Sequence, residues 1–235
     1  MIENKKIISL RSKYDSLAYR IGYNIFAPFY DIIHGISFLF HGGRYKFWKK
    51  VINSVDYKNS EKILDACCGT GFLTNILLKE ISTNIKVHGI DISHNQIKIA
   101  KQKINHPNVY FKVSDARKIP YENNHFDKTF ITFALHEMPK TVRKKILKEL
   151  SRVTKNDGKI IILEGYKPTK RYYRILMFIT FFQWFPWCVD RPHNKQVWSE
   201  YLVNEIQNCN MKILSRDIIS NEFFQIIVAI TTSKK

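Results

Sequence analysis

Residues 63–71, ILDACCGTG, bring an aspartate, two adjacent cysteines and two glycines into one short stretch. An apolar run that ends in an acidic residue and continues through glycines predicts a strand, a tight turn and a helix start, where a ligand can approach the backbone. The dinucleotide fingerprint G-x-G-x-x-G would place a diphosphate at that turn. Here Gly69 and Gly71 are present, but position 74 holds threonine and Asp65 would repel a diphosphate. The turn therefore favours a ligand that presents an ammonium group.

Two further carboxylates follow predicted strands. Asp91 ends the segment GID, about 20 residues after the turn, which is where a ribose-hydroxyl acceptor stands in nucleotide-binding folds. Asp115, in VSDA, can accept a hydrogen bond from an exocyclic adenine amine while the Ala116 N–H reaches a ring nitrogen. Each aspartate alone could be only a turn or capping residue, but three at successive strand ends argue for a common ligand. An amino group, a ribose and an adenine together describe S-adenosylmethionine.

His136 and Glu137 follow the fourth predicted strand, at the sheet edge where open α/β folds bind their ligands. Methyl transfer from a sulfonium needs a nucleophile held close and in line, and a base only if the acceptor must lose a proton. A histidine with a pKa near ~6.5 can serve as that base. Alternatively, His136 packs beneath a covering segment and Glu137 pairs with a lysine. The spacing of the remaining histidines and cysteines indicates no metal site.

The elements that must position these residues alternate between short apolar runs and helix-like segments from residue 62 onward. This pattern predicts βαβ units and a parallel sheet. Strands are predicted at KILDAC, IKVHGID, NVYFKVSD, HFDKTFITFAL, KIIILEG, MKILSRD and FFQIIVAITT. Helices are predicted at FLTNILLKEI, at SHNQIKIAKQKI with Ser93 as its cap, at TVRKKILKELSRVT and at VWSEYLVNEIQN. The segment NDG is predicted to turn into the fifth strand.

Two segments fall outside this core. Residues 1–60 are rich in aromatic residues and are predicted to form an N-terminal helical cap on a core domain of residues 61–235. Residues 166–197 contain RILMFITFFQWFPWCV, which is too short and too interrupted for a membrane-spanning helix of about 20 apolar residues. We predict that this segment is a lid insertion over the substrate, or a contact with a membrane surface.

Composition limits the classes of protein that need to be considered. At 235 residues, with 45% hydrophobic and 25% charged residues, the chain suits one globular domain. The N-terminus lacks a secretory signal and the four cysteines form no C-x-x-C pair, so we expect a cytoplasmic protein. The net charge of +18 suits an anionic membrane surface. Nucleic acid is a weaker expectation, because the basic residues are spread along the chain and no RNA-binding module is appended.

Four segments in order resemble the motifs of class I S-adenosylmethionine-dependent methyltransferases: ILDACCGTGFLT, VHGIDIS, VSDARKIPYENNHFD and ELSRVTKNDGKIIILE. The resemblance implies a Rossmann-like α/β fold, with a seven-stranded and mostly parallel sheet, helices on both faces and an antiparallel last strand. The usual turn of that class is D-x-G-x-G-x-G. Cys67 replaces its first glycine, so we expect this residue in a backbone conformation that a side chain tolerates. The implied cofactor-binding residues are Asp65, Cys67, Gly69, Thr70, Gly71, Asp91, Ile92, Asp115, Ala116 and Thr132.

Within this class, the chain looks most like the methyltransferases of ubiquinone and menaquinone biosynthesis. FAPFYDIIHGISFLFHGGRYKFWKK is similar to their N-terminal helices and LEGYKP to the exit of their fifth strand. By that likeness, Tyr30 covers the methionine part of the cofactor. A departure follows strand four, where those enzymes carry an Arg-Asn pair and this chain has ALHEMP.

The resemblance implies methyl transfer to a small, largely apolar acceptor, with a quinol-type ring as the first expectation. N-methylation of a phospholipid headgroup is the second. RNA methylation and a domain that binds the cofactor without catalysis remain as further alternatives.

Overall fold

The computed structural model describes residues 43–81, 84–166, 169–170, 201–220 and 222–232. Tyr30, most of the predicted helical cap and nearly all of the predicted lid lie outside these residues, so those predictions stay predictions. Among the described residues, no helix combines the length and the apolar character needed to span a bilayer.

The described core is one seven-stranded sheet. Its strands are β1 (Lys62–Ala66), β2 (Lys86–Asp91), β3 (Val109–Val113), β4 (Phe126–Thr132), β5 (Thr154–Gly165), β6 (Met211–Ile219) and β7 (Phe224–Thr231). Their order in the sheet is β3-β2-β1-β4-β5-β7-β6. Strands β1 to β5 are mutually parallel, and β7 runs opposite to both of its neighbours. This arrangement confirms the predicted Rossmann-like fold and its antiparallel last strand.

Five helices accompany the sheet: α1 (Arg44–Ile52), α2 (Phe72–Glu80), α3 (His94–Lys103), α4 (Lys140–Val153) and α5 (Tyr201–Gln207). A short 3-10 turn, Leu135–Glu137, follows β4. The predicted cap of α3 is confirmed, because the Ser93 hydroxyl accepts a hydrogen bond from the Gln96 N–H.

Apolar side chains fill both faces of the sheet. One cluster joins the sheet to α4 and α5 through residues such as Leu64, Ile146 and Ile206. The other joins the opposite face to α1 and α2 through residues such as Phe47 and Leu73. Helix α1 therefore shares a core with the sheet, although it belongs to the segment predicted as a cap. The boundary at residue 60 remains a prediction, since residues 1–42 lie outside the described chain.

The predicted turn at NDG is wrong, because β5 already begins at Thr154 and continues through these residues. Phe126 of β4 pairs with Thr154 and Lys128 pairs with Lys159, so the extra residues of β5 form a bulge. A glycine is needed there, since a Cβ on Gly158 would lie 2.7 Å from the Asp127 carbonyl oxygen.

The parallel register brings the ends of three strands to one edge. Asp65 pairs with Gly89 of β2 and Phe130 of β4, so β1, β2 and β4 all end within a few residues of that level. Asp91 and Thr132 are the last residues of β2 and β4. The carboxyl ends of parallel strands are where open α/β sheets bind ligands, and three of the predicted site residues, Asp65, Asp91 and Thr132, lie at this edge.

Candidate functional site

The turn between β1 and α2 alternates in backbone conformation. Cys67, Gly69 and Gly71 have φ angles of 58°, 54° and 78°, all in the left-handed region. Glycine adopts this region freely, whereas an L-residue there costs about 1–2 kcal/mol. Cys67 therefore keeps the conformation of the glycine that it replaces, and its side chain is tolerated at some cost in strain.

Gly71 is held by packing. A Cβ at this position would lie 3.0 Å from Ile104 Cδ1 and 3.0 Å from Phe111 Cζ, so a side chain would push the start of α2 away from α3 and β3. Gly69 has more room, since its Cβ would meet only Gln96 Oε1, at 3.8 Å. The turn thus comes close to its neighbours at Gly71 and leaves space at Gly69.

Asp65 lies beneath this turn and has no exposed surface. The Thr74 hydroxyl donates a hydrogen bond to its Oδ2 at 2.8 Å, while Oδ1 has no hydrogen-bond partner among the described residues. Burial, opposed by the Thr74 hydrogen bond and reinforced by the charge of Asp91, raises the pKa of Asp65 to about 7. A buried carboxyl oxygen without a hydrogen-bond partner is costly, so a donor or a cation placed beside Oδ1 would be favourable.

Asp91 fastens the turn to β2. Its Oδ2 accepts a hydrogen bond from the Gly69 N–H at 3.0 Å and its Oδ1 accepts one from the Ser93 N–H at 2.8 Å. Burial raises the pKa of Asp91, against the effect of these backbone donors. Each carboxylate oxygen keeps a further lone pair, so the predicted role as an acceptor for ribose hydroxyls is compatible with these contacts.

Asp115 is engaged by a cation that the sequence did not indicate. Arg117 donates from its backbone N–H to Asp115 Oδ1 at 2.8 Å, and from its Nε to Oδ2 at 2.8 Å. Burial would raise the pKa of Asp115, but the hydrogen bonds and charge of Arg117 outweigh it and hold the pKa below its ordinary value. Any ligand amine that binds Asp115 must therefore share it with Arg117.

A pocket with an empty volume of about 400 Å³, open to solvent, lies beside the turn. Its lining residues are Arg44, Trp48, Cys67, Cys68, Gly69, Thr70, Phe72, Leu73, Thr132 and Phe133. Four predicted cofactor residues, Cys67, Gly69, Thr70 and Thr132, thus come together here. The other described residues predicted for the cofactor are not among the lining residues: Asp65, Gly71, Asp91, Ile92, Asp115 and Ala116.

The outer wall of this pocket is aromatic and basic, and the site residues chosen from the sequence did not include it. The Arg44 guanidinium lies 3.4 Å from the centre of the Phe72 ring, a cation–π contact. Trp48 packs against Phe72 and Phe133, with ring centres 5.7 and 6.0 Å away. Trp48 is only 6% exposed and its Nε1 has no hydrogen-bond partner among the described residues. In the sequence, the signal for Arg44 and Trp48 was the segment RYKFWKK, at positions 44–50. It belongs to the stretch that resembles the N-terminal helices of the ubiquinone and menaquinone methyltransferases.

His136 lies between two carboxylates. Its Nδ1 is 2.8 Å from Glu164 Oε2, and its Nε2 is 3.4 Å from Glu137 Oε1. Burial by itself would lower the pKa of His136, but the two glutamates outweigh it and raise the pKa to about 10. With this pKa the ring is an imidazolium at neutral pH, and both of its N–H groups are directed at carboxylates as hydrogen-bond donors.

Glu164 organises this corner and was missed as a site residue. It is fully buried near the end of β5 and accepts hydrogen bonds from the N–H groups of Ala134 and Leu135, at 2.9 and 2.6 Å. Together with the contact to His136, these bonds tie the 3-10 turn after β4 to β5. The sequence signal was a lone acidic residue inside the apolar run KIIILEG.

The described thiols are placed for packing. Burial and the charges of Asp65 and Asp91 raise the pKa values of both Cys67 and Cys68, so these thiols stay protonated. Within the part of the chain that the structure describes, no three His, Cys, Asp or Glu side chains are grouped so that they could hold a metal ion.

The chain is similar over part of its length to proteins named as methyltransferases. A protein of Bacillus mycoides (strain KBAB4) named demethylmenaquinone methyltransferase is 37% identical over 145 residues, which are 60% of this chain and 59% of that protein. A protein of the same name from Lactobacillus johnsonii is 36% identical over 166 residues, 68% of this chain and 65% of that protein. The chain thus spans less than two thirds of the length of these relatives.

Solved structures share the fold at low identity. A SAM-dependent methyltransferase from Aquifex aeolicus superposes with a TM-score of 0.61 at 23% identity, over 79% of this chain and 89% of that one. The PH0226 protein from Pyrococcus horikoshii superposes with a TM-score of 0.64 at 21% identity, over 80% and 90%. The family is shown by a broader match: the sequence model of the ubiE/COQ5 methyltransferase family covers residues 22–217, and the chain belongs to that family.

Proposed function

We propose that this chain is an S-adenosylmethionine-dependent methyltransferase. The observation that carries the proposal is the buried Asp65 carboxyl, which lies beneath a glycine turn with one oxygen lacking a partner among the described residues. A ligand with a cationic amino-acid arm would supply what this oxygen lacks. When bound, the cofactor provides a methyl group on an electrophilic sulfonium.

The described residues fit the parts of that cofactor. Asp91 would accept from the ribose hydroxyls, because it is already fixed at the strand end by two backbone N–H groups. Cys67, Thr70 and Thr132 would line the amino-acid arm, since they surround the pocket beside the turn. Arg44 lies on the wall of the same pocket and would attract the carboxylate of that arm.

The adenine would lie beyond the pocket, along the ends of β2 and β3. Ile92 would pack against the ring, and the Ala116 N–H would donate to a ring nitrogen. Asp115 would accept from the exocyclic amine with the oxygen capacity that Arg117 leaves, since a carboxylate offers about four acceptor positions.

His136 acts in this proposal as a fixed cation. Its imidazolium lies in the stretch ALHEMP, where the enzymes that this chain resembles carry an Arg-Asn pair, and its Nδ1 contacts Glu164. If the acceptor must lose a proton, the carboxylate of Glu137 rather than His136 is the group that receives it. The chain's remaining contribution is positioning, because an apolar wall holds the acceptor close to the methyl group and keeps water out.

A quinol-type ring is the acceptor that the site supports best. The relatives are named as demethylmenaquinone methyltransferases, and the pocket wall offers Trp48, Phe72 and Phe133 for contact with a planar ring. Such an apolar acceptor partitions into lipid. We therefore also propose that the chain works in the cytoplasm as a peripheral protein on an anionic membrane surface, drawn there by its net charge of +18.

The test is a methyl-transfer assay with radiolabelled S-adenosylmethionine and three acceptors offered separately: a chemically reduced demethylated naphthoquinone, phosphatidylethanolamine vesicles and bulk RNA. We expect label only in the quinol. Asp91→Asn should reduce the transfer at least tenfold, whereas the matched exposed change Asp56→Asn should leave it intact. Label in phosphatidylethanolamine or RNA would replace the quinol assignment, and no label in any acceptor would contradict the proposed activity.

A further inference from the structure

We propose that Asp65 carries a proton when no cofactor is bound and that binding of the cofactor expels it, so that the ligand's positive charge replaces a proton. This inference rests on the proposed cofactor. Its consequence is that the affinity of the site for a cationic ligand depends on pH near neutrality.

The geometry around Asp65 requires some positive charge. The carboxyl has no exposed surface and lies in the face of the sheet that packs against α2. Among the described residues, Thr74 alone donates to this carboxyl, through its hydroxyl at Oδ2 and more weakly through its backbone N–H, and Oδ1 receives no hydrogen bond. An ionised carboxylate with only neutral donors from one residue is poorly stabilised away from water, whereas a protonated carboxyl is far less costly to bury.

Among the described residues, the titratable groups that face Asp65 add no compensating cation. Asp91, at the end of β2, contributes a second negative charge that raises the pKa of Asp65 further. Cys67 and Cys68, in the turn above, have raised pKa values and stay neutral. Helix α2 contributes the Thr74 hydroxyl, and β4 contributes the apolar Phe130 in register with Asp65.

The hydrogen bonds of Asp91 and Asp65 differ, and the difference shows which of the two carboxyls is protonated. Both oxygens of Asp91 accept backbone N–H bonds, from Gly69 and Ser93, and such bonds favour the charged form. Asp65 has one side-chain donor and one oxygen without any described donor. Of the two neighbouring carboxyls, Asp65 is therefore the one that takes up the proton, as like charges at short range require.

The size of the effect follows from the pKa of Asp65, raised to about 7 in the empty protein. If the bound cation lowers that pKa well below 6, the apparent affinity strengthens about fivefold from pH 6 to pH 7 and by less than about twofold from pH 7 to pH 9. Binding at pH 7 then releases about half a proton per site, and binding at pH 9 releases almost none.

Isothermal titration calorimetry measures this release directly. S-adenosylmethionine is titrated into the full chain at pH 7 in phosphate, imidazole and Tris buffers, whose ionisation enthalpies differ. The slope of observed enthalpy against buffer ionisation enthalpy gives the protons released, and we expect about half a proton at pH 7. Binding with no buffer dependence would overturn the inference and leave the proposed cofactor standing, whereas absence of binding would contradict the cofactor itself.

Two variants show whether the released proton comes from Asp65 or from another group. One such group is the ligand's own α-amino group, which titrates near ~8 in free solution. Asp65→Asn keeps an acceptor for the Thr74 hydroxyl and should bind with at least twofold less proton release at pH 7. Thr74→Val removes the hydroxyl donor and keeps the backbone N–H, and it should move the pH midpoint of binding upward, because the hydroxyl hydrogen bond lowers the pKa of Asp65. If Asp65→Asn does not fold, Thr74→Val decides, and an unmoved or lowered midpoint overturns the inference.

Discussion

His136 is a residue whose role is set by its partners rather than by its own chemistry. Its pKa is raised to about 10 in the folded chain, against ~6.5 when unfolded. A raised pKa gives stabilisation that is complete below pH 6.5 and is lost as the pH rises towards 10. We therefore expect His136→Gln to lower the free energy of unfolding by about 2–4 kcal/mol at pH 6, and by much less at pH 10. Urea titrations of both proteins at the two pH values measure this difference.

The matched variant is His136→Arg, which keeps a cation beside Glu164. We expect it to retain methyl transfer better than His136→Gln. At saturating cofactor, where the pH dependence of binding through Asp65 does not enter, the pH profile should show no loss of activity as the pH falls through 6.5. If the natural protein at saturating cofactor instead loses activity around pH 6.5 and His136→Arg is inactive, His136 is a general base and the cationic role is wrong.

Cys67 and Cys68 differ in backbone conformation although they are neighbours. Cys67 has a φ of 58°, whereas the φ of Cys68 is not positive and its side chain is buried. Replacing Cys67 with glycine loses some packing but also relieves about 1 kcal/mol of backbone strain, and the two effects offset each other. Replacing Cys68 with glycine loses packing and increases the entropy of the unfolded chain, with no strain to relieve. We expect Cys68→Gly to be more destabilising than Cys67→Gly by about 1–2 kcal/mol in urea unfolding. Equal losses would show that the turn is not strained at Cys67.

The site could be predicted where its signal is local. Asp65, Gly69 and Asp91 stand at strand ends and in a turn, and both features follow from apolar periodicity and glycine spacing. The partners could not be predicted, because they are set by tertiary placement. Glu164 lies 28 residues from His136 along the chain, yet the two share a hydrogen bond. Only the pairing of β4 with β5 brings them together.

At the scale of elements, most strands and helices of the described core were predicted within a few residues, since the strands are short apolar runs and the helices carry a helical period. The bulge in β5 was not, because Asn156 and Gly158 have the composition of a turn. The strand continues there because β4 pairs on both sides of the bulge, a constraint that no local window contains. The packing of α1 into the core escaped prediction for the same reason.

Helices α4 and α5 are joined by a buried ion pair, whose contribution to stability can be tested. Arg143 is fully buried and donates from Nε and Nη2 to Glu205, at 2.7 and 2.6 Å, and from Nη1 to the Met138 carbonyl at 2.8 Å. Removing one partner of such a pair leaves an uncompensated buried charge. We expect Arg143→Leu to lower the free energy of unfolding by about 3–5 kcal/mol, measured by urea denaturation.

The double variant Arg143→Leu with Glu205→Leu is the control, because it removes both charges together. It should recover more than half of the stability lost in Arg143→Leu, since two apolar side chains can replace a buried pair at little net cost. A double variant as unstable as Arg143→Leu would mean that packing around Arg143, and not its charge, holds α5 to α4.

At the scale of the whole molecule, charge is the property that family membership leaves unexplained. The chain carries 38 Lys and Arg against 20 Asp and Glu, and the exposed faces of α3 and α4 include Lys98, Lys101, Lys144 and Lys148. Each basic residue near an anionic leaflet contributes about 1 kcal/mol, so a modest cluster suffices for attachment. We expect the protein to float with vesicles of 30% phosphatidylglycerol at roughly 50 mM salt and to detach as salt approaches roughly 0.5 M, where charges are screened beyond a few ångström.

Salt response and lipid charge together separate the modes of attachment. Charge attraction requires that vesicles of phosphatidylcholine alone do not carry the protein upward in a flotation gradient, because they present no anionic surface. Charge-reversal at Lys144 and Lys148 should weaken flotation more than the same change at Lys98 and Lys101 if α4 faces the lipid, and the opposite order would assign the contact to α3. Flotation that persists at high salt would mean attachment through apolar contacts instead. A protein that floats with neither lipid would contradict the proposed membrane surface and leave its charge to serve another anionic partner.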